Sequence, residues 1–456
     1  MYEIDLNKPV NVHFIGIGGI SMSGLSRLLL SRGFKVSGSD AKESALTEEL
    51  REKGIVVSIG QAAENIPDQC DFVVYTAAIS PENPEYAAAA ERKIPMLSRA
   101  QLLGQLMKNY RTPIAVAGTH GKTTTTSMVS EILLNAGTDP TLAVGGILKS
   151  IGGNLRIGRG DHFVLEACEY TNSFLEFFPR ISIVLNIEED HLDFFKDIND
   201  IRASFKRFME LLPEDGCLIV NNSIPALEEL TGSLKCPVIR FGEGGDYHPS
   251  DISFDEQGRA SYIMHHGEES VPVKLGVVGK HNVYNSLSAI ALADYLGIDR
   301  KISLDTLKDF TGSDRRFEHK GELGGISIID DYAHHPTEIR ATLSSALNLA
   351  HRKLFCVFQP HTYSRTKAFL KEFADALSAA DEVILADIFA AREKNTIGIS
   401  SRDLQKALKD KGCDAHYFPY FDDIETYLLE HAEAGDIILT MGAGDIYRVG
   451  ERLLGK

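Results

Sequence analysis

Short apolar runs alternate with stretches of helical periodicity through most of the chain, the pattern of strands feeding helices in an α/β protein. Residues 10–15, 34–38, 54–59, 71–76 and 94–97 read as strands. A helix through Leu25, Leu28 and Leu29 follows the first and is ended by Gly33, and Ser98-Arg99 opens the helix that closes this first unit. Residues 109–113 read as a linker. Beyond it Ile114-Ala115-Val116-Ala117 is a buried strand, and residues 162–165 and 181–187 are two more. Residues 214–275 carry Gly, Pro and acidic clusters around short β-like runs, which predicts peripheral strands or hairpins. After the polar, basic residues 311–317, strands at 326–330, 354–358, 382–387 and 436–440 again alternate with helices. The expectation is an α/β chain of three domains, 1–108, 109–312 and 313–456. The first and last are Rossmann-like, and the central one is a phosphate-loop unit with a mostly parallel sheet.

The residues at the strand ends turn this architecture into chemistry. After the strand at 114–117 the chain reads Gly118-Thr119-His120-Gly121-Lys122-Thr123-Thr124, and a Ser/Thr-rich helix follows. Backbone N–H groups of such a turn converge on an anion, Lys122 adds a positive charge, and Thr123 adds a hydroxyl able to ligate Mg²⁺. The motif is a shortened phosphate loop, because Val116 stands where the general pattern has Gly. Gly16-Ile17-Gly18-Gly19-Ile20-Ser21-Met22-Ser23-Gly24, with Asp40 about 20 residues on, is a dinucleotide-type fingerprint whose third Gly position is Ser21. A diphosphate and a ribose fit there, and UDP has both. Arg99 either belongs to this site or is a solvated surface charge.

Glu166 closes the strand at 162–165, and Glu188-Glu189-Asp190-His191 follows the strand at 181–187. Carboxylates at strand ends beside a phosphate loop suit Mg²⁺, which takes oxygen ligands; Glu166 is preferred to Glu169 because it closes its strand directly. His191 is either a ligand or a core or capping histidine. Gly279-Lys280-His281-Asn282-Val283-Tyr284-Asn285 opens a helix whose two Asn side chains suit a base edge, or merely cap it. Strand ends of the last unit carry Asp331-Tyr332-Ala333-His334-His335-Pro336, Gln359-Pro360-His361-Thr362-Tyr363-Ser364-Arg365 and Gly442-Ala443-Gly444-Asp445. His334 and His335 lack the further histidine or cysteine partners of a zinc site.

Composition narrows the class. With 456 residues, 43% hydrophobic and 24% charged, the chain reads as a multi-domain globular protein. A net charge of −17 argues against a nucleic-acid surface but not against a nucleotide, which local N–H groups and a few cations hold. The 6 cysteines form no Cys-x-x-Cys pair and read as free thiols of a reducing cytoplasm. The N-terminus lacks the layout of a signal peptide, and no apolar run of about 18 residues exists to span a membrane.

Together these motifs resemble the Mur ligase family over essentially the whole chain. The Gly-rich first turn and Tyr332-Ala333-His334-His335-Pro336-Thr337-Glu338 resemble its alanine-adding branch, whereas the phosphate loop alone would also fit folylpolyglutamate synthetases. The resemblance implies that ATP phosphorylates the lactyl carboxylate of UDP-N-acetylmuramate and that the amine of L-alanine attacks the acyl phosphate. It implies that Gly118, Thr119, His120, Gly121, Lys122, Thr123 and Thr124 cradle ATP. Asn282, Asn285 and Arg316 would lie on its adenine side and Asp331 at its ribose. Thr123, Glu166 and His191 would hold Mg²⁺ or Mn²⁺, and Lys122, His334 and Arg365 would serve catalysis. Gly16, Gly18, Gly19, Ser21, Ser39, Asp40 and Arg99 would hold the UDP-sugar. It further implies a cytoplasmic monomer or weak homodimer that acts on small molecules, without nucleic acid or membrane.

Arginine is usual in the family where this chain has Thr362, which throws the role of that loop on Arg365. Several sister ligases carry a carbamylated lysine downstream of the His191 motif. Counting by their spacing lands on Phe205, with Ser204 and Lys206 beside it, so no carbamate is expected. Other readings are a ligase attaching a recycled peptide to the same sugar, an NAD-dependent dehydrogenase built on the first unit, and a nucleotide-binding module without catalysis.

Overall fold

The computed structural model describes residues 2–456 and arranges their strands in three sheets. The first comprises β1 (Asn11–Ile15), β2 (Lys35–Asp40), β3 (Val56–Ile59), β4 (Phe72–Tyr75) and β5 (Met96–Ser98), in the order β3-β2-β1-β4-β5 and parallel throughout. The order reverses at β1, and ligands of doubly wound sheets bind in the crevice beyond such a point. Helix Ile20–Ser31 begins there and buries Leu25, Leu28 and Leu29 in the core.

The second sheet has ten strands: β6 (Thr112–Ala117), β7 (Thr141–Leu148), β8 (Gly153–Arg156), β9 (His162–Ala167), β10 (Ile181–Val184), β11 (Cys217–Asn221), β12 (Val238–Phe241), β13 (Tyr247–Phe254), β14 (Arg259–His266) and β15 (Glu269–Val278). β6 lies between β9 and β10, parallel to both, so the phosphate loop leaves the middle of the sheet. β6 and β10 are buried from end to end apart from Thr112, which is why they read as unbroken apolar runs. The expectation of peripheral strands after residue 214 needs correction. β11 and β12 extend the parallel sheet, and only β13–β15 form an antiparallel meander at its edge. β7 and β8 escaped the sequence pattern because glycines at 145, 146, 152 and 153 interrupt them.

The third sheet comprises β16 (Glu318–Leu323), β17 (Ile326–Asp331), β18 (Leu354–Phe358), β19 (Glu382–Leu385), β20 (Ala415–Tyr417) and β21 (Ile437–Met441), in the order β16-β17-β21-β18-β19-β20. Only β16 is antiparallel. It is a polar edge strand, which apolar patterning does not detect. Between the sites, helix Ile198–Met209 buries Phe205 completely, with its ring edge-on to Phe174 at 5.3 Å. Burying such a side chain contributes about 1.5–3 kcal/mol.

Candidate active site

The turn after β6 is shaped by two glycines with positive φ, Gly118 at 144° and Gly121 at 84°. A Cβ on Gly121 would lie 2.8 Å from Asn285 Oδ1, so glycine is required for space as well as for conformation. Helix Lys122–Asn135 starts without a side-chain cap, which leaves its first N–H groups for an anion. Lys122 Nζ donates to the carbonyls of Gly118 at 2.5 Å and Thr119 at 3.1 Å and to Glu169 Oε2 at 3.0 Å. Burial works against its charge, but Glu169 outweighs burial and holds the ammonium above its ordinary pKa. The cation is therefore fixed over the loop at all physiological pH.

Thr123 Oγ1 donates to Glu166 Oε2 at 3.2 Å. The other oxygen, Oε1, accepts the Gly145 N–H at 2.5 Å, and a Cβ on Gly145 would collide with the carboxylate. Burial raises the pKa of Glu166. His191 adopts φ +52°, stacks on Tyr170 with centroids 4.4 Å apart, and holds Nε2 3.9 Å from Glu169 Oε1. Its pKa is lowered, chiefly by burial, so the imidazole is neutral and its nitrogen lone pair available. A hydroxyl beside a carboxylate, with a neutral imidazole one carboxylate away, is a donor set that fits Mg²⁺ or Mn²⁺. A second cluster is less suitable. His120, Glu188 and His335 bring ligand atoms within 4.8 Å of one another. His335, however, already spends Nε2 on the Glu189 carbonyl and Nδ1 on the Thr337 N–H.

A cavity of about 350 Å³ opens between the second and third sheets, lined among others by His120, Gly121, Asn282, Asn285, Arg316 and Asp331. Asn285 Nδ2 donates to Asn282 Oδ1 at 2.9 Å, and Asn282 Nδ2 to the Val278 carbonyl at 2.8 Å. Their helix, His281–Tyr295, has Lys280 as its N-cap with no side-chain cap bond, so the two Asn residues are not caps. Asp331 accepts the N–H groups of Phe317 and Ala333 at 2.7 Å each, and burial pushes its pKa up to about 6. Arg316 Nη2 reaches Thr123 Oγ1 at 3.3 Å and so touches both the cavity and the phosphate loop.

Across the cleft, His334 holds Nδ1 3.0 Å from the Tyr332 carbonyl, and burial lowers its pKa to about 3. Arg365 is buried and pairs with Asp190 of the central unit; its Nη1 lies 3.1 Å from His361 Nδ1. His120 lies between Glu188 at 3.5 Å and Glu338 at 3.3 Å. Burial alone would lower its pKa, but the two carboxylates raise it to about 9.

In the first unit, the Gly18 N–H donates to Asp40 Oδ2 at 2.9 Å, and Arg99 Nη1 donates to Ser21 Oγ at 3.3 Å. Arg99 is thus part of the Gly-rich turn rather than a free surface charge. Ser39 is a correction. Its side chain is fully buried and its hydroxyl donates to Glu85 Oε2 at 2.6 Å, so only its carbonyl serves the turn, accepting the Gly16 and Ile17 N–H groups. Gly16 and Gly19 close that turn through a 3.4 Å backbone bond. None of these residues lines the 350 Å³ cavity. In sequence, Glu169, Glu188 and Asp190 read only as strand-end carboxylates suited to Mg²⁺, with Glu166 preferred, and Glu338 had no role; its signal was a carboxylate three residues into a helix.

A phosphate loop with strand-end carboxylates beside it, at a cleft between two α/β units, defines a nucleotide-using enzyme. More particularly, the chain belongs to the Mur ligase family. Residues 11–111 match the Mur ligase family catalytic domain, 116–293 the Mur ligase middle domain and 315–444 the Mur ligase glutamate ligase domain. A UDP-N-acetylmuramate–L-alanine ligase of Lachnospira eligens is 58% identical with all of both chains covered, and one of Agathobacter rectalis is also 58% identical over both full lengths. Among solved structures, UDP-N-acetylmuramate-alanine ligase from Thermotoga maritima is 31% identical with a TM-score of 0.81, covering 98% of each chain. A murein peptide ligase from Psychrobacter arcticus is 26% identical with a TM-score of 0.70 over 98% of each chain. Among the described residues no helix is long and apolar enough to cross a membrane.

Proposed function

We propose that the chain is an ATP-dependent ligase that joins L-alanine to UDP-N-acetylmuramate in peptidoglycan precursor synthesis, releasing ADP and phosphate. The observation that carries this reading is the phosphate-loop cluster of Lys122, Thr123 and Glu166 beside a third unit that carries His334 and is joined to the central one by Arg365 on Asp190. It occurs in a chain 58% identical over its full length to ligases of that name. The proposed units are 1–108 for the UDP-sugar, 109–312 for ATP and 313–456 for the amino acid.

The β- and γ-phosphates of ATP lie in the loop from Gly118 to Thr124, with the base against Asn282, Asn285 and Arg316 and the ribose at Asp331. Gly16, Gly18, Gly19, Ser21, Asp40 and Arg99 hold the UDP-sugar. The lactyl carboxylate attacks the γ-phosphorus, the bond to ADP breaks, and an acyl phosphate forms. Lys122 neutralises charge on the transferring group. A divalent cation held by Thr123, Glu166 and His191 would add Lewis-acid neutralisation of the same charge. The amine of L-alanine then attacks the acyl carbon, phosphate leaves, and the amine proton is lost.

His334 is neutral, and with Nδ1–H fixed on the Tyr332 carbonyl its Nε2 is an acceptor for the ammonium of L-alanine. Closure of the cleft protects the acyl phosphate from water. A cytoplasmic monomer or weak homodimer with only small-molecule partners completes the reading. UDP-N-acetylmuramate labelled with ¹⁸O in its carboxylate tests it: with ATP and L-alanine, one label should appear in phosphate. AMP and pyrophosphate among the products would reject the acyl-phosphate route. Turnover with a peptide and not with L-alanine would favour the peptide-ligase alternative, which the 26% identical neighbour keeps in view.

A further inference from the structure

The carboxylate of Glu338 belongs to two units at once. Within the third it is residue N3 of helix Pro336–Leu347, and its Oε2 accepts the main-chain N–H groups of His334 at 3.1 Å and His335 at 3.3 Å. Its other oxygen, Oε1, lies 3.3 Å from Nδ1 of His120, a phosphate-loop residue 218 positions away in sequence. Both side chains are largely withdrawn from water, at 11% exposed for His120 and 16% for Glu338. The far side of the imidazole faces Glu188, and its ring rests on that of His335 with centroids 4.6 Å apart. A capping box needs only the N–H groups of its own helix. A cation on Oε1 from another unit is additional to that requirement.

We propose that Glu338 is a positioning residue that couples the phosphate loop to the placement of His334. The inference rests on the ligase reading above, in which the loop holds ATP and His334 receives L-alanine. His120 is two residues from Lys122, and its N–H is fixed on Asn186 Oδ1 at 2.8 Å, so the imidazole direction is set by the loop backbone. Glu338 passes that direction on. One oxygen follows His120, and the other holds the main chain of His334, whose Nε2 meets the amino acid. A shift of the loop thereby moves the L-alanine side of the cleft without any contact between L-alanine and ATP.

Glu338→Gln separates the two roles. Glutamine at N3 still accepts the helix N–H groups, so the cap survives, but the charge facing His120 is lost. Misplacing a group that orients a substrate costs ten-fold or more. The expected result is a KM for L-alanine raised about ten-fold, with the KM for UDP-N-acetylmuramate unchanged and a single cooperative unfolding transition retained. His120→Gln should raise the KM for L-alanine similarly, and the double variant should be no worse than the worse single one. Wild-type KM for L-alanine in Glu338→Gln, or losses that multiply in the double variant, would overturn the coupling. A wild-type enzyme that releases no ADP with L-alanine is a different outcome and would remove the ligase reading and this inference together.

Discussion

Arg365 donates two N–H groups to a single oxygen of Asp190, at 3.1 and 2.8 Å; Asp190 follows β10 of the central unit and Arg365 lies in helix Tyr363–Ala368 of the third. Each side chain is 8% exposed, so the pair ties the two units together inside the cleft rather than decorating its rim. Burial works to raise the Asp190 carboxyl, but the Arg365 guanidinium beside it holds it well below the usual carboxylate range. Breaking a buried pair by removing one partner costs about 3–5 kcal/mol when the remaining charge stays dry. Separation of the two units would rehydrate Asp190, so the cost should fall on closure. Arg365→Ala should lower kcat/KM for L-alanine by about 10²-fold and increase the radius of gyration measured by small-angle scattering with all substrates bound. Unchanged scattering together with unchanged kinetics would refute this.

Lys122→Ala removes the cation that rests on the loop carbonyls. Turnover should fall by about 10³-fold, the scale set by losing one preorganised group that stabilises developing charge. Affinity for UDP-N-acetylmuramate, measured by calorimetry, should not change, since its proposed contacts lie on the first sheet.

The ion pairs around His120 make cleft stability depend on pH. The pKa of His120 is raised from 6.5 to about 9, so its contribution is complete below pH 6.5 and is lost as pH rises toward 9. The pKa of Glu188 is lowered from 4.5 to about 2, so its contribution is present above pH 4.5 and is lost as pH falls toward 2. Glu338, held low by the His120 cation against its burial, acts in the same direction as Glu188. The neighbouring His335, pulled down to about 4, is neutral above that pH. The difference in unfolding midpoint between wild type and His120→Gln should be largest between pH 4.5 and 6.5 and should shrink by pH 9. A difference independent of pH would show that His120 contributes packing alone.

Much of this site was legible in the chain because it is local. Gly118 to Thr124 is a continuous motif, and Glu166 and Asp331 end or nearly end strands whose apolar runs announce them. What was not legible depends on contacts between distant segments. Asp190 and Arg365 are 175 positions apart, and His120 and Glu338 are 218 apart. No periodicity carries such information. Ser39 differs: alternation along β2 places it on the face of Lys35 and Ser37, yet it is buried because Glu85 covers it and gathers it with His13 and Asn65. β7 was hidden by the same glycines that let its backbone approach Glu166.

The burial of Phe205 bears on whether a carbamylated lysine is used. Its ring packs against Phe174 inside the core, and the adjacent Lys206 lies about 100° around the helix, half-buried. Lys206→Ala should retain turnover, and bicarbonate should change neither protein. A Lys206→Ala enzyme that is inactive without bicarbonate and recovers with short-chain carboxylates would show that Lys206 occupies the carbamate position after all.

The most direct test of the account is ADP release by the purified chain, with ATP, Mg²⁺ and UDP-N-acetylmuramate present and each amino acid added in turn. L-alanine should drive stoichiometric release of ADP and phosphate and formation of UDP-N-acetylmuramoyl-L-alanine, and omission of either the sugar nucleotide or L-alanine should abolish sustained turnover. Release that ignores L-alanine, or that requires a preformed peptide instead, would contradict it.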